Sequence, residues 1–265
     1  MRLGFVGAGR MGRPMVTRLL AAGHQARVLG RSAAVREALA AEGADVVGET
    51  GSVADGADAV VVCVFSDEQV REVCLGGALL DRMLPGSVLV VHTTGSPSTA
   101  GEIAARAAHI SVLDAPVSGG PHDIAAGRLT LFVGGAEDAV ARVRPVLGSY
   151  ADPVLHVGAL GAGQRVKLIN NALFAAHIGL LTEAVRVAGQ LGVAEEPLLG
   201  ALSHGSAASR ALAGAAARRS VAAFTENVRD FLGKDVAVAR TVAAELGGDL
   251  RAIDTAIDAI APRRP

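Results

Sequence analysis

Short apolar runs alternate with helical patterns over the first 157 residues. The apolar runs that predict strands are Leu3–Val6, Ala26–Leu29, Ala59–Val64, Val88–Val91, Ser111–Leu113, Leu129–Val133 and Val154–His156. The segments between them with helical spacing are Met11–Ala22, Ala33–Ala41, Pro97–Ala107 and Glu137–Leu147. Capping residues predict two helix starts, one at Asp67 and one at Ser96-Pro97, the start of the segment Pro97–Ala107. Strands that alternate with helices predict a parallel sheet covered on both faces.

The pattern changes after Val157. A glycine-rich hinge, Gly158–Gly163, is followed by helical stretches rich in Ala and Leu, without strand signals. Residues Gln164 to Leu191 predict one long helix. We therefore expect an α/β Rossmann-type N-terminal domain (residues 1–158) and an all-α C-terminal domain (residues 159–265) that is entered by a long interdomain helix.

Composition and charge exclude several classes of protein. Hydrophobic residues make up 51% of the 265 positions, which is too many for a disordered chain. The net charge of −1 gives no general attraction to nucleic acid or to an anionic membrane. The most apolar stretch, Leu168–Thr182, is interrupted by Asn170, Asn171 and His177, so we expect no membrane span. Two cysteines and isolated histidines predict no disulfide framework, no metal site and a cytoplasmic location.

Lysine is rare in this chain. Only two of the 25 basic residues are lysines, Lys167 and Lys234, so arginine serves as the general surface cation. The two lysines are candidates for tasks that a guanidinium performs poorly, such as proton transfer or a compact charge in a tight site.

A glycine-rich loop follows the first predicted strand. Gly7, Gly9 and Gly12 have the G-x-G-x-x-G spacing between a strand and a helix at the start of a βαβ pattern. Glycines at this spacing allow a tight turn and a close approach of the backbone to a pyrophosphate at the helix N-terminus. The pattern favours a dinucleotide site over a glycine-rich turn without a ligand.

The residues after the second predicted strand bear on the choice of cofactor. An acidic residue there would accept the ribose hydroxyls of NAD, but the chain has Gly30-Arg31-Ser32. Arg31 would face a 2′-phosphate and Ser32 would add a donor, so we expect NADP, with NAD possible. The alternative is that Arg31 is a solvated residue at a helix start.

Two segments predict a substrate site. Ser118-Gly119-Gly120 combines a hydroxyl with unhindered backbone N–H groups, which suits a carboxylate. Lys167 and Asn171 are four residues apart and share one helix face, where an ammonium and an amide would act as proton donor and orienter. Lys234 continues an apolar stripe formed by Phe224, Val228 and Phe231, so it is expected to point inward; a solvated Lys234 paired with Asp235 is the alternative.

These segments, in this order, resemble the β-hydroxyacid dehydrogenase family, which includes 3-hydroxyisobutyrate dehydrogenase and the tartronate, glyoxylate and succinic semialdehyde reductases. The resemblance runs from Met1 to about Ala239 and rests jointly on Gly7–Met15, Asp114–Gly120, Gly161–Asn171 and Lys234-Asp235. It implies that Lys167 is catalytic, that Asn171 orients the substrate and that Lys234 lies on the cofactor side. It also implies a small carboxylate substrate and a homodimer.

The remaining site residues follow from the same resemblance. The substrate would be held by Ser118, Gly119, Gly120 and Asn170. The cofactor would be held by Gly7, Ala8, Gly9, Arg10, Met11, Gly12, Arg31, Ser32, Phe65, Ser66, Thr94 and Lys234. The segment 207–220 departs from the family because it lacks the aromatic residues expected near the substrate, so the identity of the hydroxy acid or semialdehyde stays open.

The sequence leaves two rival functions. One is imine reduction by a related family on the same two-domain fold, against which Lys167 argues. The other is a non-catalytic NADP-binding module, which would have no use for Ser118, Lys167 and Asn171 together. The expected reaction is a reversible hydride transfer between NADP and a small 3-hydroxy acid or its semialdehyde, with Lys167 as general acid and base.

Overall fold

A computed structural model describes residues 1–245 and 247–260. The chain divides into two compact units, the first ending at Lys167 and the second beginning at Leu168. The glycine-rich hinge predicts a domain boundary between residues 158 and 159. The first compact unit ends nine residues after that boundary. The reason is that the start of the long helix is hydrogen-bonded to the end of β6 in this unit, through Gly161 and Gln164.

The first unit is built on a nine-stranded sheet. Its strands are β1 Arg2–Val6, β2 Gln25–Leu29, β3 Asp45–Val47, β4 Ala59–Val62, β5 Val88–Val91, β6 Ser111–Asp114, β7 Val117–Ser118, β8 Leu129–Gly134 and β9 Ala151–Gly158. The order is β3-β2-β1-β4-β5-β6-β8-β7, and β9 pairs with β8. Strands β1 to β6 are parallel, whereas β8 runs antiparallel to β6 and β7. The chain changes direction across the sheet between β1 and β4, which is where α/β proteins bind ligands.

Helices lie between these strands. They are α1 Gly12–Ala21, α2 Ala33–Ala41, α3 Asp67–Leu75, α4 Leu79–Arg82, α5 Pro97–Arg106, α6 Pro121–Ala125 and α7 Glu137–Leu147, with a 3₁₀ turn at Gly51–Ala54. Helix α3 begins at Asp67, but its N-cap is Ser66, whose hydroxyl accepts from Gln69. Ser96 caps α5 as predicted, with Pro97 in the first turn.

The strands alternate between two hydrophobic cores. In β1, Leu3 and Phe5 face one core, and Val6 faces the other. In β4 the alternation is the same, with Val61 on one side and Val60 on the other. Helices α1 and α7 cover the first core, and α3, α4 and α5 cover the second. The valine runs are therefore buried on both faces, and the predicted Rossmann-type sheet is confirmed. The expectation that all its strands are parallel is wrong for β8 and β9, which run antiparallel to β6.

The differences from the predicted elements lie at strand ends, in edge strands and in two short helices, α4 and α6, which were not predicted. Strand β4 ends at Val62 rather than Val64 because the Val64 N–H donates to the Thr93 hydroxyl instead of a neighbouring strand. Strands β3 and β7, with three and two residues, were not predicted. Such short edge segments are defined by backbone pairing and carry too few side chains to show a periodicity.

The second unit is helical. Its elements are α8 Ala162–Gln190, which starts in the first unit, α9 Glu195–Leu202, α10 Arg210–Ala217, α11 Val221–Glu245 and α12 Ala252–Asp258. The core is formed by small residues of α8 and α10 against larger ones of α11. Gly179 lets α12 approach α8, since a Cβ there would lie 1.8 Å from the Ala256 carbonyl oxygen. The predicted helical C-terminal region and its long first helix are confirmed.

Helix α8 bears on the expectation of no membrane span. It contains an 18-residue window with mean hydropathy 1.3, so its length and composition alone would suffice to cross a bilayer. Asn170, Asn171 and His177 therefore do not make this stretch too polar to span a bilayer, contrary to the expectation from the sequence. One such helix is weak evidence, because a core helix has the same composition, and the expectation of no membrane span stays a prediction.

Candidate functional site

The glycine loop lies at the carboxyl end of β1. Its three glycines differ in how much space a Cβ atom would have. Gly7 has φ +102°, and a Cβ there would lie 2.2 Å from the Cys63 carbonyl oxygen. A Cβ on Gly12 would lie 2.1 Å from the Gly7 carbonyl oxygen. Around Gly9, no atom of the described residues comes within 4 Å of such a Cβ. The fold itself therefore demands glycine at 7 and 12, whereas the bare backbone at Gly9 leaves room for a ligand.

The start of α1 supports the same conclusion. Helices α2, α3 and α5 each begin with a serine that caps the first turn, namely Ser32, Ser66 and Ser96. In the described residues, no side chain caps α1, which follows Met11; α4 and α7 also lack a side-chain cap, but neither follows a loop with the G-x-G-x-x-G spacing. A helix N-terminus with free N–H groups beside exposed glycine backbone is a site for phosphate oxygens. The loop from Gly7 to Gly12 with Ala8 and Arg10 thus fits a dinucleotide pyrophosphate.

A side chain at position 30, at the carboxyl end of β2, would require Arg36 to move. A Cβ on Gly30 would lie 2.3 Å from the Cγ of Arg36, and the Arg36 guanidinium donates to the Gly30 carbonyl at 3.1 Å. Arg31 and Ser32 follow and are exposed at the same edge of the sheet as the glycine loop. The Ser32 hydroxyl accepts from the Val35 N–H and retains its own hydrogen for a ligand.

The loops after β4 and β5 are joined to each other at this edge. The Thr93 hydroxyl accepts from the Val64 N–H at 3.0 Å and donates to the Val64 carbonyl at 2.9 Å. Phe65 and Ser66 continue the first loop, and the Phe65 side chain is 63% exposed. Thr94 continues the second loop and is half-buried. The structure thus places the predicted cofactor residues of the first unit on consecutive loops of one sheet edge.

The segment after β6 contains the predicted carboxylate cradle. Ser118 ends β7, and Gly119 has φ +130°, a conformation that favours glycine. The Gly120 N–H donates to the Asp123 carboxylate at 2.7 Å and caps α6. The Gly120 N–H is therefore not available to a substrate carboxylate, contrary to the expectation. The Ser118 hydroxyl and the Gly119 N–H remain as its candidate donors.

Lys167 lies in the second turn of α8 and is 7% exposed. The start of this helix is held by Asp114, which is fully buried and accepts from the Gly161 and Gln164 N–H groups, each at 2.6 Å. Burial raises the pKa of the Asp114 carboxyl, and the two backbone hydrogen bonds oppose that rise. Lys167 is therefore a buried lysine on a firmly anchored helix, which disfavours the interpretation as an exposed helix cap.

In the second unit, Asn171 is held by two neighbours. Its amide donates to the Asp235 carboxylate at 2.5 Å and its oxygen accepts from Asn170 at 2.9 Å. Lys234 pairs with the other oxygen of Asp235 at 2.8 Å. Asn171 and Asp235 are 2% and 4% exposed. On α8, Lys167 and Asn171 are one helical turn apart, as predicted.

The apolar stripe of α11 differs from the predicted one. Its buried positions are Val221, Val228, Leu232, Asp235, Val236, Ala239 and Val242. Phe231 is 41% exposed, and the Lys234 side chain is 24% exposed, so the stripe passes through Asp235 rather than Lys234. The Lys234–Asp235 pair of the alternative is present, but Lys234 is half-buried rather than solvated. Asp235 is the polar residue that the sequence analysis treated only as a partner of Lys234.

A buried His92–Tyr150 pair lies beside these loops and was not predicted as part of the site. His92 Nδ1 donates to the Ala115 carbonyl at 2.6 Å, and Nε2 lies 2.8 Å from the Tyr150 hydroxyl. Burial lowers the pKa of His92 to about 4, so the ring is neutral and accepts the Tyr150 hydrogen. Elsewhere, residues 1–245 and 247–260 contain no group of three His, Cys, Asp or Glu that could hold a metal ion.

Two family models together match almost the whole chain. Residues 2–158 match the NAD binding domain of 6-phosphogluconate dehydrogenase. Residues 161–261 match the NAD-binding domain of NADP-dependent 3-hydroxyisobutyrate dehydrogenase.

Individual relatives carry related names. A 2-(hydroxymethyl)glutarate dehydrogenase of Eubacterium barkeri is 33% identical over 80% of this chain and 71% of its own length. An NAD-dependent L-serine dehydrogenase of Pseudomonas aeruginosa is 36% identical over 66% of this chain and 59% of its own length. The solved structure of Mycobacterium tuberculosis 3-hydroxyisobutyrate dehydrogenase with L-serine has a TM-score of 0.85 at 28% identity. It covers 97% of this chain, which in turn covers 91% of that structure.

Proposed function

Because the chain belongs to the β-hydroxyacid dehydrogenase family and is an NAD(P)-dependent hydroxyacid dehydrogenase, we propose that it oxidises small 3-hydroxy acids with NADP, using Lys167 as general acid and base. The observation that carries this proposal is the burial of Lys167 on a helix anchored by Asp114. A lysine is otherwise rare in this chain and rarely buried without a task.

The names of the relatives indicate a substrate class. 3-Hydroxyisobutyrate, L-serine and 2-(hydroxymethyl)glutarate all contain the unit HOCH2–CHR–COO⁻ and differ only in R. We assign the shared carboxylate to Ser118 and Gly119, with Gly120 supplying space, and the shared primary hydroxyl to Lys167 and Asn171. Asn170 supports Asn171 through its hydrogen bond.

Lys167 and Asn171 then have separate roles in the reaction. During oxidation the neutral Lys167 amine accepts the proton of the substrate hydroxyl, and during reduction its ammonium returns that proton to the carbonyl oxygen. Asn171 donates its remaining amide hydrogen to the same oxygen, since Asp235 engages the other one. The nicotinamide cofactor, when bound, supplies or accepts the hydride.

The lysine can be tested with one pair of variants and a control on the same helix. Lys167→Ala should lower kcat by about 10²–10⁴-fold with any acid of the HOCH2–CHR–COO⁻ class, while NADPH affinity changes little. Lys167→Arg should not restore activity, because a guanidinium does not release its proton. Arg186→Ala, an exposed change at the Arg186–Glu183 pair of α8, should leave kcat unaltered. Unaltered kcat in Lys167→Ala would remove the catalytic role.

The preference for NADP rests on Arg31 and on Gly30-Arg31-Ser32 containing no carboxylate at the end of β2. Arg31→Ala should weaken NADPH binding at least tenfold, about 1.4 kcal/mol, and NADH binding much less. NADH serves as the internal control because it lacks the 2′-phosphate. Equal binding of both cofactors, with neither affected by Arg31→Ala, would refute the preference and leave the dehydrogenase intact.

One panel of substrates distinguishes the proposed function from its two rivals. It contains the three acids, their semialdehydes and a cyclic imine, assayed with NADP(H) and NAD(H). Faster reduction of the imine than of the semialdehydes would favour the imine reductase. Tight cofactor binding without turnover of any compound would favour the non-catalytic module.

We also propose a homodimer, for which α8 offers a surface. Five apolar side chains on one face of the helix and directly after its end are at least 42% exposed: Ile169, Leu173, Leu180, Val187 and Leu191. This stripe is about 33 Å long at 1.5 Å per residue, and an apolar surface of that extent is typical of an interface. Leu180→Glu should convert the dimer to a monomer in analytical ultracentrifugation; a wild-type monomer would refute the proposal.

A further inference from the structure

The start of α8 is hydrogen-bonded to the ends of two parallel strands through two buried side chains. Asp114, at the end of β6, accepts from the Gly161 and Gln164 N–H groups. The Gln164 side-chain amide donates to the Thr93 carbonyl at 2.8 Å, and its oxygen accepts from the Gly95 N–H at 3.0 Å. We call Asp114 and Gln164 the helix-start clamp.

The clamp leaves little freedom to the first turn of α8. One Asp114 oxygen binds the N–H of Gly161 just before the helix and the other binds an N–H inside it, so both the position and the rotation of the helix start are set. The surroundings are tight as well. A Cβ on Gly163 would lie 2.4 Å from the Phe132 carbonyl oxygen, so the helix rests directly on the sheet backbone.

The Gln164 amide extends this anchoring to the loop after β5. Thr93 is itself tied to Val64, so the loops after β4 and β5 and the start of α8 form one hydrogen-bonded unit. These two loops carry Phe65, Ser66 and Thr94, to which the cofactor was assigned. Lys167 follows Gln164 by three residues, which is less than one helical turn. Its position therefore depends on the clamp.

We propose that Asp114 and Gln164 are positioning residues that hold Lys167 in register with the cofactor-binding loops of the first unit. The inference rests on the proposed role of Lys167. A shift of about 1 Å in a reacting group costs up to about 100-fold in rate, so the loss of one arm of the clamp should be visible in kcat.

The kinetic test uses Gln164→Met, which has a similar shape and removes both side-chain hydrogen bonds. With NADP⁺ and the acid of the panel that wild type oxidises best, kcat should fall about 10-fold to 100-fold. The KM for the acid and the Kd for NADPH should stay within about threefold, since no binding group is removed. The control is Arg142→Met, which also removes two side-chain hydrogen bonds, to Gly86 and Ser111, but at the amino ends of β5 and β6, and should leave kcat unchanged.

A double-mutant cycle shows whether the clamp acts through Lys167. In the Lys167→Ala background, Gln164→Met should have almost no further effect on the residual rate. An equal loss in both backgrounds would overturn the inference while the role of Lys167 stands. An unaltered kcat in Lys167→Ala would instead refute the proposed function.

The scarcity of lysine gives a readout that does not require turnover. Protein labelled with ¹³C at the lysine ε position has two labelled side chains, Lys167 and Lys234, and Lys167→Arg assigns the signals. Gln164→Met should shift the Lys167 signal and leave the Lys234 signal in place, and Arg142→Met should shift neither. An unshifted Lys167 signal would overturn the inference. If Gln164→Met fails to fold, Asp114→Asn replaces it in every measurement, with the same expected directions.

Discussion

The buried His92 makes the stability of the first unit depend on pH. Its ring is 2% exposed, and burial lowers its pKa from the ordinary value of 6.5 to about 4. In the unfolded chain the histidine titrates normally. The native state therefore holds fewer protons than the unfolded state between these values, and the stability present above about pH 6.5 is lost as the pH falls toward 4.

The size of the effect follows from the two pKa values. They differ by about 2.5 pH units, and each unit corresponds to about 1.36 kcal/mol, so the full contribution is about 3.4 kcal/mol. Between about pH 7.5 and about pH 5.5 the linkage relation gives a loss of about 1.3 kcal/mol. His92→Gln, which does not titrate, should lack this loss whatever its stability at neutral pH.

Tyr150 supplies the assay. The chain has one tyrosine and no tryptophan, and Tyr150 is buried against His92, so tyrosine fluorescence reports the unfolding of this unit. Urea unfolding at the two pH values gives the free energies for wild type and His92→Gln. His24, whose pKa is also lowered, is controlled by His24→Gln. An equal loss of free energy in wild type and in His92→Gln would refute the reasoning.

Three further predictions concern the glycines, Asp235 and the thiols. Gly7→Ala should lower the free energy of unfolding by about 1–3 kcal/mol in urea unfolding, because φ is positive and a carbonyl oxygen is close. Gly9→Ala should leave the free energy of unfolding unchanged and weaken NADPH binding in a cofactor titration. Asp235→Ala should cost about 1–3 kcal/mol in calorimetry, since the buried Asn171 amide loses its acceptor; an unaltered transition would contradict this. Burial raises the pKa of Cys63 and of Cys74 to about 12, so neither thiol should react with an alkylating reagent at about pH 8 until urea is added.

Part of the site was predictable because its residues are local in sequence. The glycine spacing, Ser118-Gly119 and the pair Lys167 and Asn171 each lie within one turn or one loop, where spacing decides geometry. The predicted apolar stripe of α11 holds at Val228 but is wrong at Phe231, for a related reason. Phe224, Val228 and Phe231 fit a helical period, but Phe231 lies at the margin of the buried face, and spacing alone does not fix where that margin falls.

The α/β unit, the helical unit and the glycine loop could be predicted from residue patterns, because burial imposes a period on the side chains and tight turns impose glycine. The partners of Asp114, Gln164, His92 and Asp235 depend instead on how the chain folds. Apart from Lys234, which adjoins Asp235, these partners lie 23 to 71 positions away. A buried polar side chain takes whichever group the packing of distant segments brings within hydrogen-bonding distance, and no local pattern records that choice.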